Sequence, residues 1–193
     1  MNDTREKILT LAGELIQTKG YDSFTFKEIA DRLGMRAASL YYYFPHKQDL
    51  GLAFLQYWSQ VTLSISGQLD RSRMSPREKL RSFLGIGYSA SQNQKVCPVS
   101  ALQLDHLKFT EEMKQQLDQI ELDELKLVTK ILREGLESGE MQFPNDPEDQ
   151  ARLVLSAFKG ALLYSLNRGE DFYQKTIAQM EATLLPTKDV TLN

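Results

Sequence analysis

Residue types able to do chemistry are few in this 193-residue chain. Cys97 is the single cysteine, which excludes an internal disulfide framework and any zinc site built on several thiolates. His46 and His106 lie far apart and form no metal-ligand pair, so neither a metal nor a cofactor is expected. Asp105 and His106 put an acid beside a base, yet no G-x-S-x-G elbow, phosphate loop or paired nucleophile accompanies them. An exposed loop pair, or a hydrogen-bond donor in a pocket, suits them better than catalysis, and no enzymatic activity is expected. Cys97 keeps three readings: a small buried hydrophobe, an unreacted pocket lining, or a thiol that senses oxidants or electrophiles with Lys95 favouring its thiolate.

A denser set of polar groups lies between Thr25 and Lys47. Arg36-Ala37-Ala38-Ser39 combines one cation with small side chains and a hydroxyl, and Tyr41 and Tyr42 add phenols. Arg32, Arg36 and Lys47 carry a local charge of +3 with no acid between them. A helix that enters the major groove of DNA needs this composition: small or polar side chains toward base edges, hydroxyls and cations toward phosphates. Arginine pairs bidentately with guanine, so Arg36 is the first candidate for base reading. A solvated helix-start residue or a phosphate contact is its other reading.

The elements that position these groups read as helices. Ile8, Leu11, Ala12, Leu15 and Ile16 recur at helical spacing, and Gly20 ends that stripe. Thr25-Phe26-Lys27-Glu28 has the capping-box pattern and opens a short helix that ends at Gly34. A second short helix is predicted from about Arg36 to Phe44 with Leu40, Tyr43 and Phe44 inward. Helix, glycine-containing turn and short helix have the spacing of a helix-turn-helix. A long helix follows from about Lys47 to Leu69, and Ser75-Pro76-Arg77-Glu78 opens another that frays near Gln92. Further helices are predicted at about 99–106, from Thr110 to Gly139, after Asp146-Pro147 to about 168, and at about 170–185. The fold expected is all-α, with about nine helices: a DNA-binding domain over 1–46, an effector-binding and dimerisation domain over 47–185, and a loose tail over 186–193.

The stretch Thr4 to Leu50 resembles the DNA-binding domain of the tetracycline-repressor (TetR) family of transcriptional regulators. The resemblance rests on the Ile8–Leu11–Ala12 helix, Gly20-Tyr21, Phe24-Thr25, Ile29-Ala30, Leu33-Gly34 and Ser39-Leu40-Tyr41-Tyr42-Tyr43-Phe44, followed by Lys47 and Leu50. Ala38 and Ser39 depart mildly from the family pattern, Tyr43 stands where the family often has His, and at Pro45-His46 the family more commonly has a basic residue and a Ser or Asn cap, so His46 is a weaker cap for the long helix. The resemblance implies that Thr25, Ser39, Tyr42 and Lys47 contact phosphates. It implies that Lys27, Arg36, Ala37, Ala38 and Tyr41 face bases or the groove wall. It further implies a homodimer, usually a repressor, whose last two helices form a four-helix bundle with their mates. Leu155, Phe158, Leu162, Ile177, Met180 and Leu184 are the interface expected. An effector pocket is expected among Tyr57, Trp58, Val61, Phe83, Ile86, Tyr88, Cys97, Leu102, His106, Phe109 and Tyr164.

The partners expected are therefore double-stranded operator DNA of quasi-palindromic sequence, a small-molecule effector that releases it, and a second copy of the chain. A helical-bundle enzyme and a thiol-based sensor acting through Cys97 are the alternatives. Net charge is −3, with 23 Lys+Arg against 26 Asp+Glu. That deficit falls outside residues 1–50, which hold equal numbers of acids and bases. The N-terminus lacks the basic and apolar regions of a signal peptide, and the longest uncharged run, Leu50 to Leu69, is too polar to span a membrane. A cytoplasmic protein is expected.

Overall fold

A computed structural model describes residues 3–185. The predicted tail over 186–193 lies outside the described residues. Among the described residues nine α-helices follow one another: α1 (Asp3–Lys19), α2 (Phe26–Leu33), α3 (Ala37–Tyr43), α4 (Lys47–Arg71), α5 (Pro76–Gln92), α6 (Pro98–Gln103), α7 (Glu111–Ser138), α8 (Pro147–Arg168) and α9 (Glu170–Ala182). One turn of 3-10 helix, His106–Lys108, precedes α7. No strand occurs among the described residues, so the all-α expectation holds. No helix among them is long and apolar enough to cross a membrane.

The chain forms two compact units. One draws on residues up to Ser64 and on Lys95–Leu122; the other draws on Ile65–Gln94 and on residues from Asp123 onward. In the first, Ile8, Ala12, Leu15 and Ile16 of α1 are buried, as are Ile29 and Ala30 of α2 and Leu40 of α3. Phe24 and Phe44, just outside the short helices, are 1% and 2% exposed. These two aromatics anchor elements too short to be stable alone.

Local chemistry sets the boundaries. Thr25 caps α2, its hydroxyl accepting from the Glu28 amide at 3.2 Å. The reciprocal half of the box is absent, because the Glu28 carboxylate is taken by Lys19 at 2.6 Å and Arg32 at 3.0 Å. Gly34 ends α2 at φ +65°, and Met35 N–H then donates to Ala30 O. That left-handed cap turns the chain sharply into α3. A Cβ at Gly34 would meet no atom within 4 Å, so its cost is conformational alone. Gly34→Ala is expected to lower stability by about 1 kcal/mol in thermal unfolding. An unchanged or raised melting temperature would contradict the left-handed cap.

The second unit is simpler. A full capping box starts α5: Ser75 accepts from the Glu78 amide and Glu78 accepts from the Ser75 amide. Asp146 caps α8 ahead of Pro147. Helix α8 packs on α9, and both pack on α5. The Tyr173 hydroxyl, buried on α9, donates to Leu84 O of α5, and burial raises its pKa. Lys159 of α8 lies 2.8 Å from Glu124 of α7, with side chains 18% and 8% exposed.

Candidate nucleic-acid interface

Helix α3 is held by one face and offers the other. Leu40 is fully buried, and Phe44 closes the helix with its N–H on Leu40 O. Ala38, Tyr41 and Tyr42 are exposed and share a face at i, i+3 and i+4. Each exposed phenol has a support: the Tyr41 ring lies 5.1 Å from Phe26, and Tyr42 meets Tyr43 edge-on at 5.2 Å. Tyr42 is 84% exposed, so its hydroxyl projects beyond the helix. Ala37 and Ser39 are half-buried, and Tyr43, expected inward, is half-buried as well.

Arg36 occupies the N-cap of α3 with an extended backbone, and its side chain makes no cap hydrogen bond. It is exposed, and no ion pair engages it among the described residues. Lys27, exposed on the first turn of α2, is in the same position. Thr25 is exposed beside it, so its hydroxyl can cap α2 and still face solvent. The helix starts of α2 and α3 thus put two cations and a hydroxyl around an outer face of alanine and tyrosine.

The local +3 seen in sequence shrinks in three dimensions. Arg32 is paired with Glu28. Lys47 points inward: its Nζ donates to the carbonyls of Asp22 at 3.0 Å and Phe24 at 2.7 Å, and lies over the rings of Tyr21 and Phe24. Burial depresses its pKa, opposed by Asp22 and Asp105. An ammonium so committed pins the α1–α2 turn to the start of α4, which is a different task from the phosphate contact implied by resemblance. The weak cap expected at His46 is also reinforced: Asp49 accepts from the His46 amide at 2.7 Å. Arg5 was missed in sequence; its guanidinium lies 5.0 Å from the centre of the Phe44 ring. An arginine separated from the ring by two helices carries no periodic signal for such stacking.

Next to Lys47 sits a polar cluster. Lys108 lies 2.6 Å from the Asp22 carboxylate and 3.6 Å from that of Asp105. Its hydrogen bond to Lys108 holds the Asp22 carboxyl below the usual range, and the same bond raises Lys108. Asp22 therefore favours the folded state above its unfolded pKa of ~3.9 and loses that contribution as pH falls through the lower folded value. Lys108 contributes below its unfolded pKa of ~10.4 and loses it as pH rises through the raised folded value. A carbon-detected NMR titration should place Asp22 below ~3.9, with Lys108→Ala returning it toward that value. A midpoint unchanged by the substitution would disprove the pairing.

The residues expected around an effector fall in both units. In the first, Leu102, Phe109 and Cys97 are buried, Trp58 and Val61 are half-buried, and Tyr57 and His106 are exposed. The Trp58 indole Nε1 is buried and has no hydrogen-bond partner among the described residues. Phe109 packs edge-on against Tyr21 at 5.1 Å. His106 turns its Nδ1 to Gln103 O at 2.8 Å, apart from any catalytic pairing with Asp105. Cys97 is 5% exposed at the start of α6, and Lys95 is drawn to Glu14, 3.8 Å away. Burial of the thiol favours the packing reading over solution reactivity. In the second unit Phe83 is buried 5.5 Å from Phe158, while Ile86, Tyr88 and Tyr164 are exposed. Among the described residues no group of three or more His, Cys, Asp or Glu could hold a metal ion.

Of the interface expected from sequence, Leu155, Phe158, Leu162, Ile177, Met180 and Leu184 are all buried within the single chain, where α8, α9 and α5 close on one another. The apolar side chains that α8 leaves exposed are Leu153, Leu163, Tyr164 and Leu166.

Comparison with known proteins agrees with this geometry. Residues 8–54 match the family of bacterial regulatory proteins named tetR. An uncharacterized HTH-type transcriptional regulator of Lactococcus lactis is 29% identical over 170 residues, 84% of this chain and 83% of the relative. The HTH-type transcriptional repressor NemR of Escherichia coli is 22% identical over the same shares. A TetR-family regulator from Agrobacterium tumefaciens superposes with a TM-score of 0.88 at 21% identity, covering 94% of this chain and 97% of that one. With its helix-turn-helix at residues 26–43 and its all-helical remainder, the chain has the fold of the TetR-family structures, and its residues 8–54 match that family's DNA-binding region.

Proposed function

We propose that the protein is a homodimeric repressor that reads a quasi-palindromic operator with α3 and is released by a small-molecule effector. The observation that carries this reading is the outer face of α3: Ala38, Tyr41 and Tyr42 exposed together, with Arg36, in no ion pair among the described residues, at its head. A dimer would set its two reading heads about one helical turn of DNA apart, ~34–36 Å. Thr25, Ser39 and Tyr42 then donate to phosphates, and Arg36 addresses base edges from the start of the helix.

Salt dependence tests the electrostatics. With Arg36 on base edges, Lys27 in each of two heads leaves two cationic phosphate contacts, so log K should fall against log salt with a slope of about −2. If Arg32 and Lys47 also met phosphates the slope would approach about −5. Retardation of the upstream intergenic fragment at several salt concentrations separates the two. The steeper slope would return Lys47 to the DNA, and no specific shift would defeat the reading.

Dimerisation is supported by the outer face of α8. Leu153, Ser156, Ala157, Gly160, Leu163 and Tyr164 recur there at helical spacing. Tyr164 stacks on Phe172 of α9, 5.7 Å away. A Cβ at Gly160 would meet nothing within 4 Å, so the position is open for close approach by another helix. Gly160→Arg should fold normally yet sediment as a monomer. A dimer that survives the substitution would move the interface elsewhere.

The effector would lie against α4, where Trp58 brings a buried N–H with no partner among the described residues. Effector binding shifts the population toward a conformer that fits DNA less well. Trp58 is the single tryptophan, so quenching or a wavelength shift of its fluorescence reports binding in a ligand screen.

A further inference from the structure

The turn between α1 and α2 is gripped by a segment that follows 83 to 86 residues later. The Asp22 amide donates to Asp105 Oδ2 at 3.0 Å, and the Asp22 carboxylate accepts from Lys108 Nζ at 2.6 Å. Beneath this pair of bonds, buried Tyr21 lies edge-on to Phe24 and Phe109. Lys47 closes the other side through the carbonyls of Asp22 and Phe24. Gly51, one turn along α4, permits the approach: a Cβ there would sit 2.7 Å from Tyr21 and 2.8 Å from Met113. The turn is therefore tied to α4 and, independently, to the segment that joins α6 to α7.

This turn determines where α2 begins. Phe24 is buried directly before the Thr25 cap, and α2 in turn packs on α3. A displacement of residues 105–109 is passed to the α1–α2 turn by a short polar bridge and an aromatic contact. Neither involves a residue on the outer face of α3. Helix α4 alone would hold the turn through Lys47; Asp105 and Lys108 remove its remaining freedom.

We propose that Lys108 and Asp105 are positioning residues for DNA binding, fixing the 21–24 turn, and with it α2 and the recognition helix, on the 105–109 segment. This deepens the DNA-reading function and rests on it. Opening the tether makes the head pay an ordering cost on binding, and affinity falls.

Amide exchange of the DNA-free full chain, with retardation on sequences that the unmodified chain selects from a random pool, tests this. Lys108→Ala and Asp105→Ala should each raise exchange at residues 20–24 about tenfold while α8 and α9 stay protected. Each should also weaken the selected DNA by about three- to tenfold. Lys108→Arg should retain both properties, and the charge swap Asp22→Lys with Lys108→Asp should recover both relative to either single change. Unchanged exchange at 20–24, or faster exchange with undiminished DNA affinity, would overturn the proposal. Loss of protection throughout the chain would do the same, since that marks a general structural role. Failure of the unmodified chain to select any sequence would count against DNA reading itself, while the exchange data would still judge the tether.

Discussion

Replacing Arg36 by alanine is expected to weaken binding of the dimer to its selected operator by about 2–6 kcal/mol, since each half-site loses a contact worth ~1–3 kcal/mol. At ~1.4 kcal/mol per factor of ten, even the lower bound is a loss of about thirtyfold. The effect has this size because the neighbours of Arg36 are small: Ala37 and Ala38 let the helix approach the groove but donate nothing to a base edge. Folding should be untouched, because Arg36 is exposed and makes no side-chain cap bond. Arg36→Lys separates the two readings of this residue. A base-reading arginine loses discrimination on conversion to lysine, because an ammonium lacks the planar fork. A phosphate contact would keep most of its affinity and the same salt slope. Recovery of full specificity by lysine would assign Arg36 to the backbone.

The largest effect on stability is expected at Lys159. Its Nζ is 2.8 Å from Glu124 Oε2 but out of line for a hydrogen bond, so the attraction is Coulombic. Both side chains are largely removed from solvent. Lys159→Met would leave the Glu124 carboxylate buried against an apolar chain of similar length. The cost of stranding such a charge is about 3–5 kcal/mol, read in denaturant unfolding. Adding Glu124→Leu should return most of that loss, because an apolar pair carries no desolvation penalty. A single substitution costing under about 1 kcal/mol would mean that solvent reaches the carboxylate as it does at a surface pair.

Much of the fold is legible because its signals are local. Ser75-Pro76-Arg77-Glu78 and Asp146-Pro147 open α5 and α8 where sequence places them, and Gly34 turns α2 into α3. The outer face of α3 is legible for the same reason: Leu40 and Phe44 must be buried, which leaves Ala38, Tyr41 and Tyr42 outside. Readings that depended on tertiary partners changed. A single helix expected at 99–106 becomes α6 ending at Gln103 and a separate 3-10 turn, because Asp105 is committed to the Asp22 amide. No periodicity announces a bond to a residue 83 positions away.

Direction is the other thing sequence conceals. Lys47 follows a helix-turn-helix and carries a charge, which suits a phosphate contact, but its long stem reaches back to two backbone carbonyls. Arg32 is likewise claimed by Glu28 one turn earlier. On α8 the pattern itself is ambiguous. A helix that is apolar nearly all round does not mark which face is its own core and which is left for a partner. Leu155, Phe158 and Leu162 are the core side, and Leu153, Leu163 and Tyr164 the exposed side. The effector residues were harder still, because buried aromatics at helical spacing serve packing and ligands alike.

The net charge of −3 agrees with this picture of sparse cations. With Arg32 and Lys47 engaged inside the chain, the proposed function has DNA affinity rest on few phosphate contacts and specificity come from the face of α3. Selection of bound sequences from a random DNA pool by the full-length chain tests that most directly. The enriched sequences should contain two inverted half-sites with centres about 10 base pairs, or a multiple of one turn, apart, and the enrichment should vanish with Arg36→Ala. A pool that shows no enrichment, or enrichment indifferent to Arg36, would contradict the assignment of α3 as the reading helix.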